Sequence, residues 1–345
     1  MTARLDTYTV PETSSPDAAA PDGPGERPRT LLADPAALAD PAALADPAAL
    51  ADPAALDTAR RRVRGARSSL RTLGGAVLAV LRRPGLLLAV LFLLLVVAWA
   101  LAPGVFASQD PITGVPTDRL QAPSAEHLFG TDHLGRDVYA RVVHGSWLSL
   151  SATVIAVALG LSVGSLLGLL AGFLRGWVDD VVGRVVDVLL AVPSLLLSLA
   201  IITVLGFGTV KVAIAVGITT IAAFARVMRA EALRTSSTAY VEAARASGVR
   251  WYTVLRRHVL PNSAGPVVAL TALELGSSVL AISALSFLGY GAAPPTPEWG
   301  ALVSGGRDYL AAAWWLTTLP GLVIVAVVLS ANRISRSLEK DGEDR

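Results

Sequence analysis

Apolar residues along this chain come in long blocks rather than in stripes. Six blocks stand out: Gly85 to Ala102, Trp147 to Leu174, Val188 to Val210, Val212 to Ala225, Pro266 to Leu288 and Leu310 to Ala331. Five carry no charged residue, and the Pro266 block is interrupted only by Glu274. About 20 apolar residues cross the hydrocarbon core of a bilayer as a helix, so each block is read as a membrane span. The fourth is short and is expected to continue as a helix past the membrane. A closed barrel is the only other structure that satisfies its backbone in lipid, and these runs lack the alternation a barrel needs. The expected fold is all-α and polytopic, with six transmembrane helices.

Composition agrees with lipid as the solvent. Of 345 residues, 53% are hydrophobic and 16% charged, against about 25% charged in ordinary soluble domains. The chain has no cysteine, which removes disulfides, thiolate metal sites and a cysteine nucleophile from consideration. Residues 1–59 differ from the rest: they are rich in Pro, Ala, Asp and Ser, and Leu-Ala-Asp-Pro-Ala-Ala runs four times from Leu32 to Ala55. Each Asp-Pro can start a helical turn, but the next Pro stops it six residues on. With Leu as the only large apolar residue of the repeat, the segment cannot offset its ordering entropy; it is expected to be a disordered tail. A basic juxtamembrane segment, 60–84, then leads into the transmembrane region 85–332, and 333–345 forms a tail.

Charge sets an expected orientation. Arg60, Arg61, Arg62, Arg64, Arg67, Arg71, Arg82 and Arg83 precede the first span. With the N-terminus inside, the inner segments from residue 60 on hold twenty-one Arg and Lys and the outer ones five. The positive-inside rule therefore puts both termini in the cytoplasm.

The most informative stretch is the long inner loop, 227–262. It reads Tyr240-Val-Glu242-Ala243-Ala244-Arg-Ala-Ser-Gly248 and continues to His258-Val-Leu260-Pro261-Asn262. The expected shape is a short helix, a glycine turn and a second amphipathic helix ended by Pro261. A small helical element projecting from a membrane bundle suits insertion into a partner's groove.

At this point the chain resembles the importer permeases of the ATP-binding-cassette class. Their cytoplasmic loop carries Glu-Ala-Ala, then Gly, then Leu-Pro, and Glu242, Ala243, Ala244, Gly248, Leu260 and Pro261 match in order and spacing. Two further stretches resemble the C-type subunit of dipeptide, oligopeptide and nickel permeases: His127-Leu-Phe-Gly-Thr-Asp132-His-Leu-Gly135-Arg136-Asp137-Val138, and Leu285-Ser-Phe-Leu-Gly-Tyr-Gly291 followed by Pro294-Pro-Thr-Pro-Glu298-Trp299-Gly300. The resemblance covers roughly residues 75–332. The repeat-bearing N-terminus has no family counterpart, and Asn332-Arg-Ile-Ser-Arg-Ser lacks the family's usual Gly-Asp-Gly after the last span.

The resemblance implies a type I importer permease fold in a bacterial plasma membrane, with a second permease subunit as its heterodimeric partner. It further implies two ATP-binding subunits beneath and an extracytoplasmic solute-binding protein above, delivering peptides or similar solutes. The 242–261 loop would be the coupling helix docked on the ATPase. No nucleic-acid partner is expected. The phosphate-binding pattern G-x-x-x-x-G-K-[ST] does not occur; Gly206-Phe-Gly208-Thr-Val-Lys211 fails on spacing. ATP is therefore expected on the partner subunits, with no cofactor and no catalytic residue here.

A metal site at His127 and His133 is the weaker reading: His127 begins the outer motif, and two histidines without further ligand support make a poor site. Asp132, Arg136 and Asp137, with Gly135, are read as a local charge network at the outer face, with contact to a binding protein as the second reading. Glu274 is costly in mid-membrane unless it faces the bundle interior or water. It either lines the translocation path, holding a cationic group such as a peptide amino terminus, or pairs with the partner subunit. Asp187, three residues after Arg184, is read as its local helix pair. A lone secondary transporter would show inverted repeats, which the sequence lacks. A non-transporting scaffold would leave both the inner loop and the outer motif without a purpose.

Overall fold

The computed structural model describes residues 83–343, with side chains through Leu338. The repeat-bearing segment 1–59, the arginines from Arg60 to Arg82 and the last residues of the tail lie outside the described residues. Five helices are long and apolar enough to cross a membrane: α1 (Pro84–Leu101), α2 (Val138–Leu174), α5 (Thr209–Ser236), α7 (Trp251–Phe287) and the apolar part of α9 (Trp315–Glu343). Between them lie α3 (Trp177–Ala191), α4 (Ser194–Leu205), α6 (Ala239–Ala246) and α8 (Trp299–Gly306). Among the described residues there is no strand, only an isolated bridge between Thr131 and Asp137.

Three of the expected spans are redrawn. The block Val188 to Val210 is not one helix: α3 and α4 meet at 97° and count as a sixth span only if taken together. The cause is Pro193, which forces Val192 into extended backbone (φ −96°, ψ 131°). With 12 residues, α4 alone is about 18 Å long, short of the roughly 30 Å core. The second span starts at Val138 rather than Trp147. Arg141 and His144 dilute its hydropathy, but the Asp137 carboxylate accepts from the Ala140 N–H and caps the helix there. The last span starts at Trp315, because Leu310 to Trp314 form turns. By contrast the short fourth block continues well past Ala225, to Ser236, as its sequence implied.

Pro261 does not end the second loop helix. A wide π-type turn at Leu255–Val259 opens the helix just ahead of it, relieving the clash that its ring would make with an α-helical carbonyl four residues back. The helix then runs on through Pro261 and Pro266 to Phe287. The Asn262 side-chain amide donates to the His258 carbonyl (2.6 Å), occupying one acceptor left by the irregular turn.

The helices pack through small residues, as expected where lipid gives no hydrophobic drive between them. Gly160, Gly164, Gly168 and Gly172, four residues apart, form a ridge on α2 facing α5. A methyl at Gly164 or Gly172 would meet the carbonyl oxygens of Ile221 and Arg229 at 2.5 and 2.6 Å, so backbone lies almost on backbone. At one end of the bundle, Val96, Trp99, Val142, Trp299 and Trp315 join α1, α2, α8 and α9. At the other, Phe173, Phe224, Met228, Val241, Val254 and Val259 tie the 240–260 loop to α2 and α5.

Candidate functional site

The 239–261 segment protrudes from the bundle on buried anchors. Val241, Val254 and Val259 are each 0% exposed, whereas Glu242, Ala243 and all residues from Arg245 to Tyr252 are exposed. Helix α6 closes in a Schellman turn: the Gly248 N–H donates to the Arg245 carbonyl (3.0 Å) and the Val249 N–H to the Ala244 carbonyl (3.2 Å). That geometry puts Gly248 at φ +76°, a left-handed conformation that side chains disfavour, with open space around its Cα. Trp251 and Tyr252 then stand exposed and edge to face at 6.0 Å, with Arg250 donating to the Tyr252 hydroxyl (2.9 Å). The result is a rooted knob whose exposed surface offers small residues, aromatics and Arg250, Arg256 and Arg257, while the Arg245 guanidinium lies over the Phe173 ring, 4.5 Å from its centroid. The sequence-predicted residues do not form one patch. Glu242, Ala243 and Gly248 lie at the tip, while Leu260 and Pro261 lie at its base in the first turn of the long helix segment.

Asp132, Gly135, Arg136 and Asp137 are brought together at the opposite end. The Asp132 carboxylate accepts from the N–H groups of Leu134 (2.8 Å) and Arg136 (3.1 Å) and from Arg136 Nε (2.7 Å), with Arg141 Nε at 3.8 Å. Gly135 takes φ +76° and packs its Cα against the Val115 carbonyl, where any Cβ would collide. Asp137 caps α2 with one oxygen and bonds His127 Nδ1 with the other (2.9 Å). These carboxylates and arginines are 6–8% exposed, so their polar groups are turned inward on one another. His133 stacks instead on Tyr309, with ring centroids 5.1 Å apart.

The sequence marks Glu298 only as a member of the second outer motif, with no role of its own; in the structure it is fully buried. Its carboxylate caps α8 through the N–H groups of Gly300 (3.3 Å) and Ala301 (3.1 Å) and accepts from Ser149 Oγ (3.4 Å). Trp299 Nε1 donates to the Val142 carbonyl (3.0 Å), so this Glu-Trp pair plugs α8 into α2. Burial pushes the Glu298 carboxyl above its ordinary value of 4.5, against the pull of those donors. The signal available was Glu298 just ahead of a helix, an N-cap position, hidden behind three prolines. A second pair also went unseen. Asp179 accepts from Arg229 Nε and from Arg229 Nη2 (2.7 Å), joining α3 to α5. Asp187, expected to pair with Arg184, instead meets Arg226 at 3.4 Å on α5.

Glu274 sits on α7, half-buried, and among the described residues no ion pair or hydrogen bond reaches its carboxylate. No group of three or more His, Asp or Glu residues arranged to hold a metal occurs among the described residues.

Comparison with known proteins adds a family. Residues 164–341 match the model described as the binding-protein-dependent transport system inner membrane component. A di/tripeptide transport system permease protein of Pseudomonas aeruginosa is 39% identical over 260 residues, covering 74% of this chain and 86% of that protein. A glutathione transport system permease protein of Shigella flexneri is 42% identical over 251 residues, 72% of this chain and 83% of the other. A dipeptide transport system permease protein of Alkalihalophilus pseudofirmus is 37% identical over 223 residues, 65% and 73% of the two chains. The family match runs from the middle of α2 through the rooted knob into α9, and the chain belongs to the inner membrane components of binding-protein-dependent transport systems, multi-pass ABC importer permeases that work with ATPase and permease subunits.

Proposed function

We propose that this chain forms half of the translocation path of a peptide importer, carrying di- or oligopeptides or solutes of similar size. The observation that carries this reading is the 239–261 knob, rooted by three valines with no exposure and closed by a glycine in a left-handed turn. The names of its relatives, which transport dipeptides, tripeptides and glutathione, supply the solute class. In this reading Glu242, Ala243, Ala244 and Gly248 seat in a groove of the ATPase subunit, and Leu260 and Pro261 carry its movement into α7. Two ATPase subunits bind the ATP. A different permease chain completes the path, and an extracytoplasmic binding protein delivers solute to the end that carries Asp132, Gly135, Arg136 and Asp137. Both termini face the cytoplasm. ATP drives transport because the inward-open and outward-open bundles bind the ATPase pair with different affinity.

The test is ATP hydrolysis by the reconstituted complex with and without binding protein. Gly248→Pro removes the N–H that closes the turn and imposes a negative φ; Glu242→Arg reverses the charge at the tip. Both variants are expected to assemble and to lose binding-protein stimulation and peptide uptake together. Full stimulation in assembled variants of both kinds would sink the coupling role.

Glu274 supports a second element of the same reading, a carboxylate on the path that meets a peptide amino terminus. Its half-buried, unpaired state among the described residues suits a group awaiting a partner. Glu274→Gln is expected to slow uptake of dipeptides with free amino termini and to spare N-acetylated ones. Equal uptake of both, or loss of the second permease from the purified complex, assigns Glu274 elsewhere.

A further inference from the structure

One groove of the bundle has no part in the mechanism above. It runs between α1 and α9 at the end where α1 begins, with a volume of about 640 Å³. Its walls change character along their length. Leu88, Ala89 and Phe92 of α1 face Ala326 and Leu329 of α9, while Arg333 and Arg336 of α9 stand at the mouth. From Arg333 back to Ala326 the helix rises about 10 Å, so the apolar part reaches well into the hydrocarbon. Gly85 leaves room for the Arg333 guanidinium, whose Nη2 lies 3.4 Å from where a Cβ would stand. Arg83 reaches across from α1 to Ser337 Oγ (3.3 Å), bringing a third cation to the same mouth. Both Arg333 and Arg336 are exposed, and among the side chains described, which end at Leu338, neither meets a carboxylate.

We propose that this groove holds one anionic phospholipid, its phosphate on Arg333 and Arg336 and the upper part of an acyl chain along Leu88, Phe92 and Leu329. The pairing of a cationic mouth with an apolar trough at the membrane edge matches the two halves of such a lipid. A zwitterionic headgroup would bring its own cation to a mouth already lined by Arg83, Arg333 and Arg336, and a helix from a partner would have to bring carboxylates to that depth. Arginines at the cytoplasmic surface attract acidic lipids by about 1 kcal/mol each, so removing two is expected to weaken binding roughly thirtyfold. The bound lipid would pin the start of α1 to the end of α9 without touching the solute path.

The experiment is native mass spectrometry of the full chain extracted from nanodiscs of phosphatidylglycerol or of phosphatidylcholine. Wild type is expected to retain one phosphatidylglycerol and no phosphatidylcholine. Arg333→Gln with Arg336→Gln, and separately Ala326→Trp, which fills the trough without changing charge, are each expected to lose it. The charge-matched pair Arg256→Gln with Arg257→Gln is expected to keep it. Equal retention of both lipids, or equal loss in the charge-matched pair, would show general surface attraction and overturn the proposal. A photoreactive residue at position 329 gives an independent reading in the assembled complex. Capture of phospholipid supports the proposal, and capture of the second permease refutes it.

Discussion

Glu298 and Glu274 are two carboxylates in apolar surroundings with opposite solutions. Glu298 is wholly enclosed but accepts hydrogen bonds from two backbone N–H groups and a serine. Its folded carboxyl titrates above 4.5 because burial outweighs those donors. The folded state therefore holds this proton more tightly than the unfolded state does. The resulting stability is full below the ordinary carboxylate pKa and is lost as pH rises through the raised folded value. Replacement by Gln removes that dependence. As pH rises through and beyond the ordinary carboxylate range, wild type is expected to lose thermal stability relative to Glu298→Gln, read by tryptophan fluorescence in detergent. A constant difference between the two proteins across that window would show that the carboxyl keeps its unfolded pKa. Glu274 lacks such internal donors among the described residues, so its solution has to come from outside the chain, from water, solute or a neighbour.

At the scale of elements, the α2–α5 contact depends on having nothing where side chains would be. Gly168 lies against the Ala225 carbonyl and the Arg229 N–H, so Gly168→Leu drives a side chain into backbone that cannot retreat. The expected cost is about 3 kcal/mol, the upper end for overpacking. Gly183→Leu, at a helical glycine of α3 with open space around it, is expected to be neutral or to stabilise by up to about 1 kcal/mol. Melting curves of the two variants that overlap would remove the ridge as a determinant of packing. The helices themselves were legible because a membrane span announces itself by length and lack of charge, not by periodicity. What hydropathy concealed were the backbone events inside or beside apolar blocks. Pro193 bends a run that reads as continuous, and Asp137 starts a helix ahead of the first apolar block it serves. Pro261 reads as a terminator until the wide turn at 255–259 is seen to accommodate it. The knob was legible through its glycine and paired alanines, since both are local. Asp179 with Arg229, fifty residues apart, and the plugging of Glu298 into α2 depend on which helices become neighbours, which no short window contains.

For the whole molecule, the two ends differ in a way that fixes how it must sit in a membrane. One end is built from turns, buried ion pairs and the capped helix α8; the other carries the exposed knob and an excess of arginine. Positive charge resists translocation, so the arginine-rich end is expected to stay in the cytoplasm. The chain has no cysteine, so single cysteines can report this directly. Ser108 and Ser247 are both exposed and lie at opposite ends. In intact cells freed of any outer membrane barrier, a membrane-impermeant maleimide is expected to label Ser108→Cys and to leave Ser247→Cys untouched. Opening the membrane should then make Ser247→Cys reactive to the same extent. The reverse pattern would place the knob outside the cell, where no ATPase subunit could reach it. The coupling role of Glu242 and Gly248 would then fail on topology alone, before any transport is measured.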